Sequence, residues 1–309
     1  MTKPFTSERK TVLLVNYGGP AFNEASAKDY LKNLFSDGVV FPLPKPLRWL
    51  IAQIVSRKRW RESLEILRSI GGKSPLIEQT FQQADKLQRL LGENYTVKVA
   101  MRYSPPYVGE VLREITGEVI VLPLFPHYSI ATWKTVLEEV NKSLPEDGYK
   151  AVKPFYDCEG FVTGWVETIK EHLKGLKKPF LLFSAHSLPL YLVERYNDPY
   201  PRQVYTSAKL IAERLSLPFK VSYQSKLGPI RWLEPSTEEV IKRLATEGVE
   251  ELVVIPVSFV SENTETLYEI DIYYRNLARE TGIKQFIRPP IPYLSDAWMG
   301  CFAKLIKEV

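Results

Sequence analysis

Two stretches of this chain combine residue types that can handle protons and a metal ion together. The first is Leu181-Leu182-Phe183-Ser184-Ala185-His186-Ser187-Leu188-Pro189, an apolar run that ends on a histidine and turns at a proline, with Asp198-Pro199-Tyr200 close behind. Open α/β sheets place their chemistry at the carboxyl ends of strands, where an imidazole can take up a proton or bind a metal. A hydrogen-bonded histidine capping a strand would read the same way. The chain has only three histidines, so His186 is conspicuous. His127, in Leu124-Phe125-Pro126-His127-Tyr128, ends a second apolar run and is the weaker candidate. His172 falls in a helix-like segment near 165–176 and reads as structural or solvated.

The second stretch is Ser258-Phe259-Val260-Ser261-Glu262-Asn263-Thr264-Glu265-Thr266-Leu267-Tyr268-Glu269. Its Ser/Asn cluster suits a helix start. Glu262, Glu265 and Glu269 then fall at i, i+3 and i+7, which puts three carboxylates on one helical face. Acids in a first turn are ordinary partners of the helix dipole. A row reaching Glu269 asks for more, because like charges at that spacing repel. Such a row can pass a divalent cation inward or protons outward. It lacks the clustered Cys and His ligands of a structural zinc site. Arg102-Tyr103, a cation beside an aromatic after another strand-like run, suits a carboxylate on a planar ring, or is a plain surface pair.

These residues need strands to hold them. Short apolar runs occur at 12–15, 97–100, 119–122 and 151–152, and again at 180–183, 219–222, 252–255 and 286–287, separated by helix-length amphipathic segments. That is the pattern of parallel sheets covered on both faces. The two sets repeat: Val119-Ile120-Val121-Leu122-Pro123 mirrors Leu252-Val253-Val254-Ile255-Pro256, and Lys153-Pro154 with Trp165 echoes Arg288-Pro289 with Trp298. The reading is α/β, with two similar Rossmann-type domains, 1–155 and 156–309, and a cleft between them. Each domain is a parallel four-stranded sheet flanked by helices.

The first half carries an insertion at about 31–68. Phe41-Pro42-Leu43-Pro44-Lys45-Pro46 should be extended, because proline disfavours helix in the residue before it. Leu47, Leu50, Ile51 and Ile54 then share a helical face that ends in Arg57-Lys58-Arg59-Trp60-Arg61. This is either a surface helix packed on its own domain or a greasy, basic lip over the cleft. A lip would suit a flat apolar ligand with carboxylates, or a membrane surface.

Composition narrows the classes. Hydrophobic and charged fractions of 45% and 25% are those of a globular chain of 309 residues. No run reaches the roughly 20 apolar residues of a membrane span. The opening Met1-Thr2-Lys3-Pro4 has no apolar leader region. Cys158 and Cys301 make no disulfide framework, so a reducing, cytoplasmic setting is expected. A net charge of +5 favours anionic ligands and is no nucleic-acid signature. Gly18-Gly19-Pro20 and Gly71-Gly72-Lys73-Ser74-Pro75 lack the spacing of nucleotide loops.

Taken in order, several blocks resemble the ferrochelatase family over nearly the whole chain. They are Val15-Asn16-Tyr17-Gly18-Gly19-Pro20, Ile70-Gly71-Gly72-Lys73-Ser74-Pro75-Leu76, Met101-Arg102-Tyr103, the His186 segment through Arg195-Tyr196-Asn197-Asp198-Pro199-Tyr200, Gln224-Ser225-Lys226-Leu227-Gly228-Pro229 and Glu265-Thr266-Leu267-Tyr268-Glu269. Asn197 stands where the family has glycine, which asparagine's tolerance of left-handed backbone permits. Glu262 and Asn263 stand where many members have aspartate and histidine. The resemblance implies a chelatase-like fold and insertion of Fe²⁺ into a porphyrin with release of two protons, the terminal step of haem synthesis. His186 and Glu265 would be the catalytic and metal-contacting pair, with Glu262 and Glu269 on a secondary proton or metal path. Tyr17, Leu47, Leu50, Ile51, Ser74, Arg102 and Tyr103 would contact the porphyrin.

With two cysteines, no iron–sulfur cluster is expected, nor any other prosthetic group. The expected form is a monomer in the cytoplasm, with peripheral contact on the inner membrane face through the lip and no nucleic-acid partner. The lip favours protoporphyrin IX. Tyr17, where that branch has methionine or leucine, points instead to coproporphyrin III. Chelation of another tetrapyrrole, such as cobalt insertion into sirohydrochlorin, and a non-catalytic two-lobed binding protein are the rival readings.

Overall fold

The computed structural model describes residues 9–309 apart from 227 and 229. The opening segment read above for a leader, and Leu227 and Pro229 of the Gln224 block, lie outside the described residues. Each apolar run forms a strand. β1 (Lys10–Asn16), β2 (Tyr95–Met101), β3 (Val119–Pro123) and β4 (Lys150–Ala151) make one parallel sheet in the order β2-β1-β3-β4. β5 (Pro179–His186), β6 (Phe219–Gln224), β7 (Glu251–Ile255) and β8 (Gln285–Ile287) make a second parallel sheet in the order β6-β5-β7-β8. The same permutation appears twice, as the sequence repeat requires. β1, β3 and β7 are buried almost end to end, which is why they read as unbroken apolar runs.

Helices cover the faces: α1 (Glu24–Phe35), α2 (Lys45–Ser69), α3 (Leu76–Leu91), α4 (Val108–Leu112) and α5 (Thr135–Val140) in the first half. The second half has α6 (Glu159–His172), α7 (Leu190–Tyr196), α8 (Tyr200–Leu215), α9 (Thr237–Thr246), α10 (Arg275–Glu280) and α11 (Asp296–Lys307). A π-helical segment follows the third strand of each half, Ile130–Lys134 and Glu265–Tyr274. The register makes the repeat quantitative. Val15 pairs with Pro123 while Phe183 pairs with Ile255, one residue short of Pro256. With Pro123 and Pro256 as equivalents, Tyr17 occupies in the first half the place His186 holds in the second.

The last helix, α11, packs on α6 and also against α3 of the first half. Phe161 stacks on Trp298 at 5.0 Å, and Trp165 meets the same indole edge-on. α6 and α11 lie so close that a methyl on Gly160 would stand 2.1 Å from the Ala297 carbonyl oxygen. This packing corrects the reading of the cysteines. Cys158 and Cys301 are joined as a disulfide with Cα atoms 6.6 Å apart, across 143 residues of sequence.

The insertion is also corrected in detail. It opens inside α1, and helix α2 starts at Lys45, so the Pro42–Pro46 stretch is extended only as far as Pro44. Pro46 sits in the first turn, where its missing N–H would have had no helical partner anyway. α2 buries Ala52, Ser56 and Leu67, while Leu47 and Leu50 are 46% and 48% exposed. The apolar face noted in sequence therefore looks outward. Asn197 ends α7 in the left-handed region at φ 52°, as its substitution for glycine requires.

Candidate active site

His186 is the last residue of β5, and its backbone is held on both sides. Its N–H donates to Ser258 Oγ at 2.9 Å and its carbonyl accepts from Tyr200 Oη at 2.9 Å. The imidazole Nδ1 lies 2.6 Å from the Ser187 carbonyl oxygen. A carbonyl can only accept, so Nδ1 is the donor, and the tautomer that carries a lone pair carries it on Nε2.

β6 lies beside β5, with Gln224 opposite His186 in the register. Gln224 reaches across to the long π-helical segment: its amide donates to Glu269 at 3.1 Å and to the Glu265 carbonyl at 3.4 Å, while its oxygen accepts from Ser184 Oγ at 2.5 Å. Glu269 also accepts from Ser225 Oγ at 2.7 Å. Glu265 opens the segment and accepts from Thr264 Oγ1 at 2.8 Å. Burial, reinforced by the neighbouring Glu265, pushes the Glu269 carboxyl up to about 7. The π winding closes with i→i+5 hydrogen bonds, and such segments recur at functional sites.

A cavity of about 320 Å³ opens in front of these groups. His186, Ser225, Asn263, Thr264 and Glu265 line it on one side, and Tyr17, Ala131 and Thr132 on the other. Tyr30, Val40, Phe41 and Ile66 close it from the lip and α1. No lysine or arginine is among its described lining residues. The Tyr17 hydroxyl donates to the Ala131 carbonyl, and its ring packs on Tyr103 and Phe125 with centroids 5.2 and 4.9 Å away. Burial pushes its phenol well up, so the cavity sees a neutral aromatic face.

A family model described as ferrochelatase matches residues 9–309. The chain belongs to the ferrochelatase family. It is similar to the ferrochelatase of Aquifex aeolicus (strain VF5), 42% identical over 97% of this chain and 99% of the relative. The ferrochelatases of Sulfurihydrogenibium sp. (strain YO3AOP1) and Synechocystis sp. (strain ATCC 27184 / PCC 6803 / Kazusa) are 39% and 37% identical, covering 98% and 97% of this chain and 98% and 82% of theirs. Among solved structures the fold is similar to CbiX, described as the terminal enzyme of sirohaem biosynthesis in denitrifying bacteria. It has TM-score 0.56, 13% identity and coverage of 97% and 99% of the two chains. SirB from Bacillus subtilis follows at TM-score 0.55 and 10% identity, covering 97% of this chain and 95% of that one. The protein is thus a porphyrin metal chelatase of haem biosynthesis on a chelatase-like fold.

Within a ferrochelatase site, the sequence-expected residues divide. His186, Glu265, Tyr17 and Ser74 all line the cavity, and Glu269 stands directly behind Glu265. Glu262 does not continue that row. It precedes the helical segment and turns away to Arg288 at 2.6 Å, also accepting from Thr266 Oγ1 at 2.6 Å and the Ile291 N–H at 3.0 Å. Arg102 and Tyr103 are likewise withdrawn from the cavity. The guanidinium binds Asp37 at 2.7 Å and Glu139 at 3.0 Å, and Tyr103 is fully buried with its hydroxyl on Asp37 at 2.9 Å. Leu47, Leu50 and Ile51 lie on α2 outside the lining, which the insertion reaches through Val40, Phe41, Ser63 and Ile66.

His127 lines the cavity but is buried, and its Nε2 faces Ser207 Oγ at 3.0 Å. Burial pushes it down to about 3, so it stays neutral. His172 Nδ1 donates to the Thr168 carbonyl at 2.8 Å within its own helix. Sequence reasoning missed Gln224 and Ser225 as partners of the acids, although both stand in a block it quoted. It also missed Asp37, the carboxylate that holds Arg102 and Tyr103.

Glu269 makes stability depend on pH. Its folded value of about 7 lies above the ordinary carboxyl value of 4.5, so its contribution is fully present below about 4.5 and is lost as pH rises through about 7. His127 acts oppositely, contributing above its ordinary 6.5 and losing that as pH falls toward about 3. The difference between wild type and Glu269→Gln isolates the carboxyl. In urea unfolding, the variant should gain on the order of 3 kcal/mol relative to wild type between pH 4.5 and 8. A difference independent of pH would show that Glu269 is not perturbed.

Proposed function

We propose that this ferrochelatase inserts Fe²⁺ into protoporphyrin IX, exchanging one ferrous ion for two pyrrole protons to give protohaem. The observation that carries the reading is the bare Nε2 of His186 on the wall of an apolar, aromatic cavity that Glu265 also lines. A porphyrin's nitrogen lone pairs lie in the ring plane, and its two N–H protons must leave as the metal enters. In this reading the lip and the Tyr17 wall distort the ring, using binding energy from its edge. His186 Nε2 accepts one pyrrole proton. Glu265 meets the incoming cation, and Glu269, held near neutral pKa, takes the second proton and passes it on. Iron and porphyrin are both substrates, and no prosthetic group is invoked. Two cysteines cannot supply the four thiolates of a cluster.

The substrate choice rests on charge. A buried carboxylate costs several kcal/mol unless it is paired, and the described cavity lining offers no cation. A ring with two propionates can keep both at the edge near Ser74, while its vinyl edge lies inside. Four propionates could not all stay outside. Tyr17 supports the coproporphyrin alternative only by its identity, because its hydroxyl is already spent on Ala131. Identity of 37–42% to ferrochelatases, against 10–13% to CbiX and SirB, disfavours another tetrapyrrole. The outward apolar face of α2, with Leu47, Trp49, Leu50 and Ile54 exposed ahead of a basic run, suits peripheral contact with an anionic lipid surface.

His186→Ala should abolish anaerobic metal insertion, by at least about 100-fold for loss of a general base, while porphyrin binding followed by fluorescence survives. Near-normal turnover by the folded variant would overturn the assignment. Wild-type kcat/KM should be higher for protoporphyrin IX than for coproporphyrin III, and a clear reverse preference would transfer the proposal to the latter. Replacing Leu47, Leu50 and Ile51 with serine should weaken liposome association. Each buried side chain is worth roughly 1.5–3 kcal/mol, so unchanged co-sedimentation would exclude a membrane role for this face.

A further inference from the structure

The lip is moored at one short segment, and the two halves of the molecule hold it from opposite sides. On the first-half side stands Asp37, whose side chain is 1% exposed. Its carboxylate accepts from the Val39 N–H at 2.8 Å, the Val40 N–H at 3.4 Å, Arg102 Nη2 at 2.7 Å and Tyr103 Oη at 2.9 Å. Arg102 is itself fixed by Glu139 and by the Thr135 carbonyl at 3.1 Å. On the other side, the Val40 carbonyl accepts from Tyr191 Oη at 2.9 Å. Tyr191 is the second residue of α7 in the His186-bearing half. Its approach is rigid: Pro189 bridges to Trp232, Leu190 N–H donates to the Arg231 carbonyl at 2.9 Å, and Leu233 N–H to the Leu188 carbonyl at 2.9 Å.

Val40 and Phe41 line the cavity from the lip, and Leu188 and Pro189 line it from the second half. The Tyr191–Val40 hydrogen bond therefore joins the lip segment that lines the cavity to the half of the molecule that carries His186. We infer that Tyr191 is a positioning residue that ties the lip to the His186-bearing half and holds it closed over bound porphyrin. Asp37 supplies the fixed anchor against which that tie pulls. A hydrogen bond confers this control without blocking exchange, since one such bond contributes only a modest net free energy and reopens readily. The inference rests on the reading that porphyrin occupies this cavity.

The test follows protoporphyrin IX fluorescence at equilibrium and in stopped flow, with steady-state kinetics in parallel. Tyr191→Phe keeps the ring and removes only the donor. It should raise the porphyrin Kd and KM roughly three- to tenfold, mainly through faster dissociation, with kcat and the KM for Fe²⁺ within about twofold of wild type. Asp37→Asn should move porphyrin affinity in the same direction, and adding Tyr191→Phe to it should cost less than in wild type, because both act through one segment. Wild-type affinity and dissociation rate in Tyr191→Phe would overturn the inference, as would a fall in kcat with porphyrin affinity unchanged. Should Asp37→Asn fail to fold, Tyr191→Phe decides alone. Wild-type protein that binds no porphyrin would instead overturn the functional reading, and this inference with it.

Discussion

The hydrogen bond from His186 Nδ1 to the carbonyl of the next residue determines what the site can do. It fixes the proton on the nitrogen that faces backbone and leaves the other nitrogen as a base. The chain leading to the Ser187 carbonyl is held, because the Ser187 N–H donates to the Gln224 carbonyl at 2.8 Å and continues the β5–β6 ladder past the end of the strand. That ladder in turn brings the Gln224 side chain to the two acids. One parallel strand pair thus positions both the imidazole and the amide that holds Glu269. The usual rule for open sheets locates a site at strand ends; here the pairing register decides which atoms of the site meet.

The repeat shows how one architecture divides labour. Tyr17 and His186 occupy equivalent positions, each three residues before a proline, Pro20 or Pro189. In the first half the position holds a phenol spent on a backbone carbonyl, which makes a wall. In the second half it holds an imidazole with a lone pair to offer. Both halves follow their third strand with a π-helical segment, and both segments reach the cavity, through Ala131 and Thr132 on one side and Glu265 on the other. The fold supplies two equivalent walls, and the chemistry sits on one of them.

The strands were legible because parallel strands buried on both faces leave continuous apolar runs, and the repeat followed from two copies of that pattern. The His186 segment and Glu265 were legible because strand-end chemistry has a local signature. What failed was long-range. The row through Glu262 assumed α periodicity across a boundary, and the residue that claims Glu262, Arg288, lies 26 positions on. Arg102 looked available because its partner Asp37 is 65 residues away, and Cys158 looked free because Cys301 is 143 away. The π winding left no trace either, since it differs from an α-helix in hydrogen-bond spacing and not in composition.

Those long-range pairs also explain the character of the cavity. Arg102 and Lys142 balance Asp37 and Glu139, and Arg288 and Arg275 balance Glu262 and Asp271, so these charges cancel within their own clusters. Glu265 and Glu269 have no ion-pair partner among the described residues. What remains is an apolar chamber with one uncompensated pair of carboxyls beside the His186 imidazole. Such a field draws a divalent cation in, but it also holds back departing protons. Insertion replaces two protons by one doubly charged ion, so the charge within the ring is unchanged only if both protons find acceptors that later release them. A carboxyl ionising near 4.5 would be a weak acceptor at neutral pH, and a strongly basic group would not let go. Burial of Glu269 beside Glu265 places it at about 7, between these limits. On the proposed mechanism, the same desolvation that costs the fold stability as pH rises would make the second acid useful to the first.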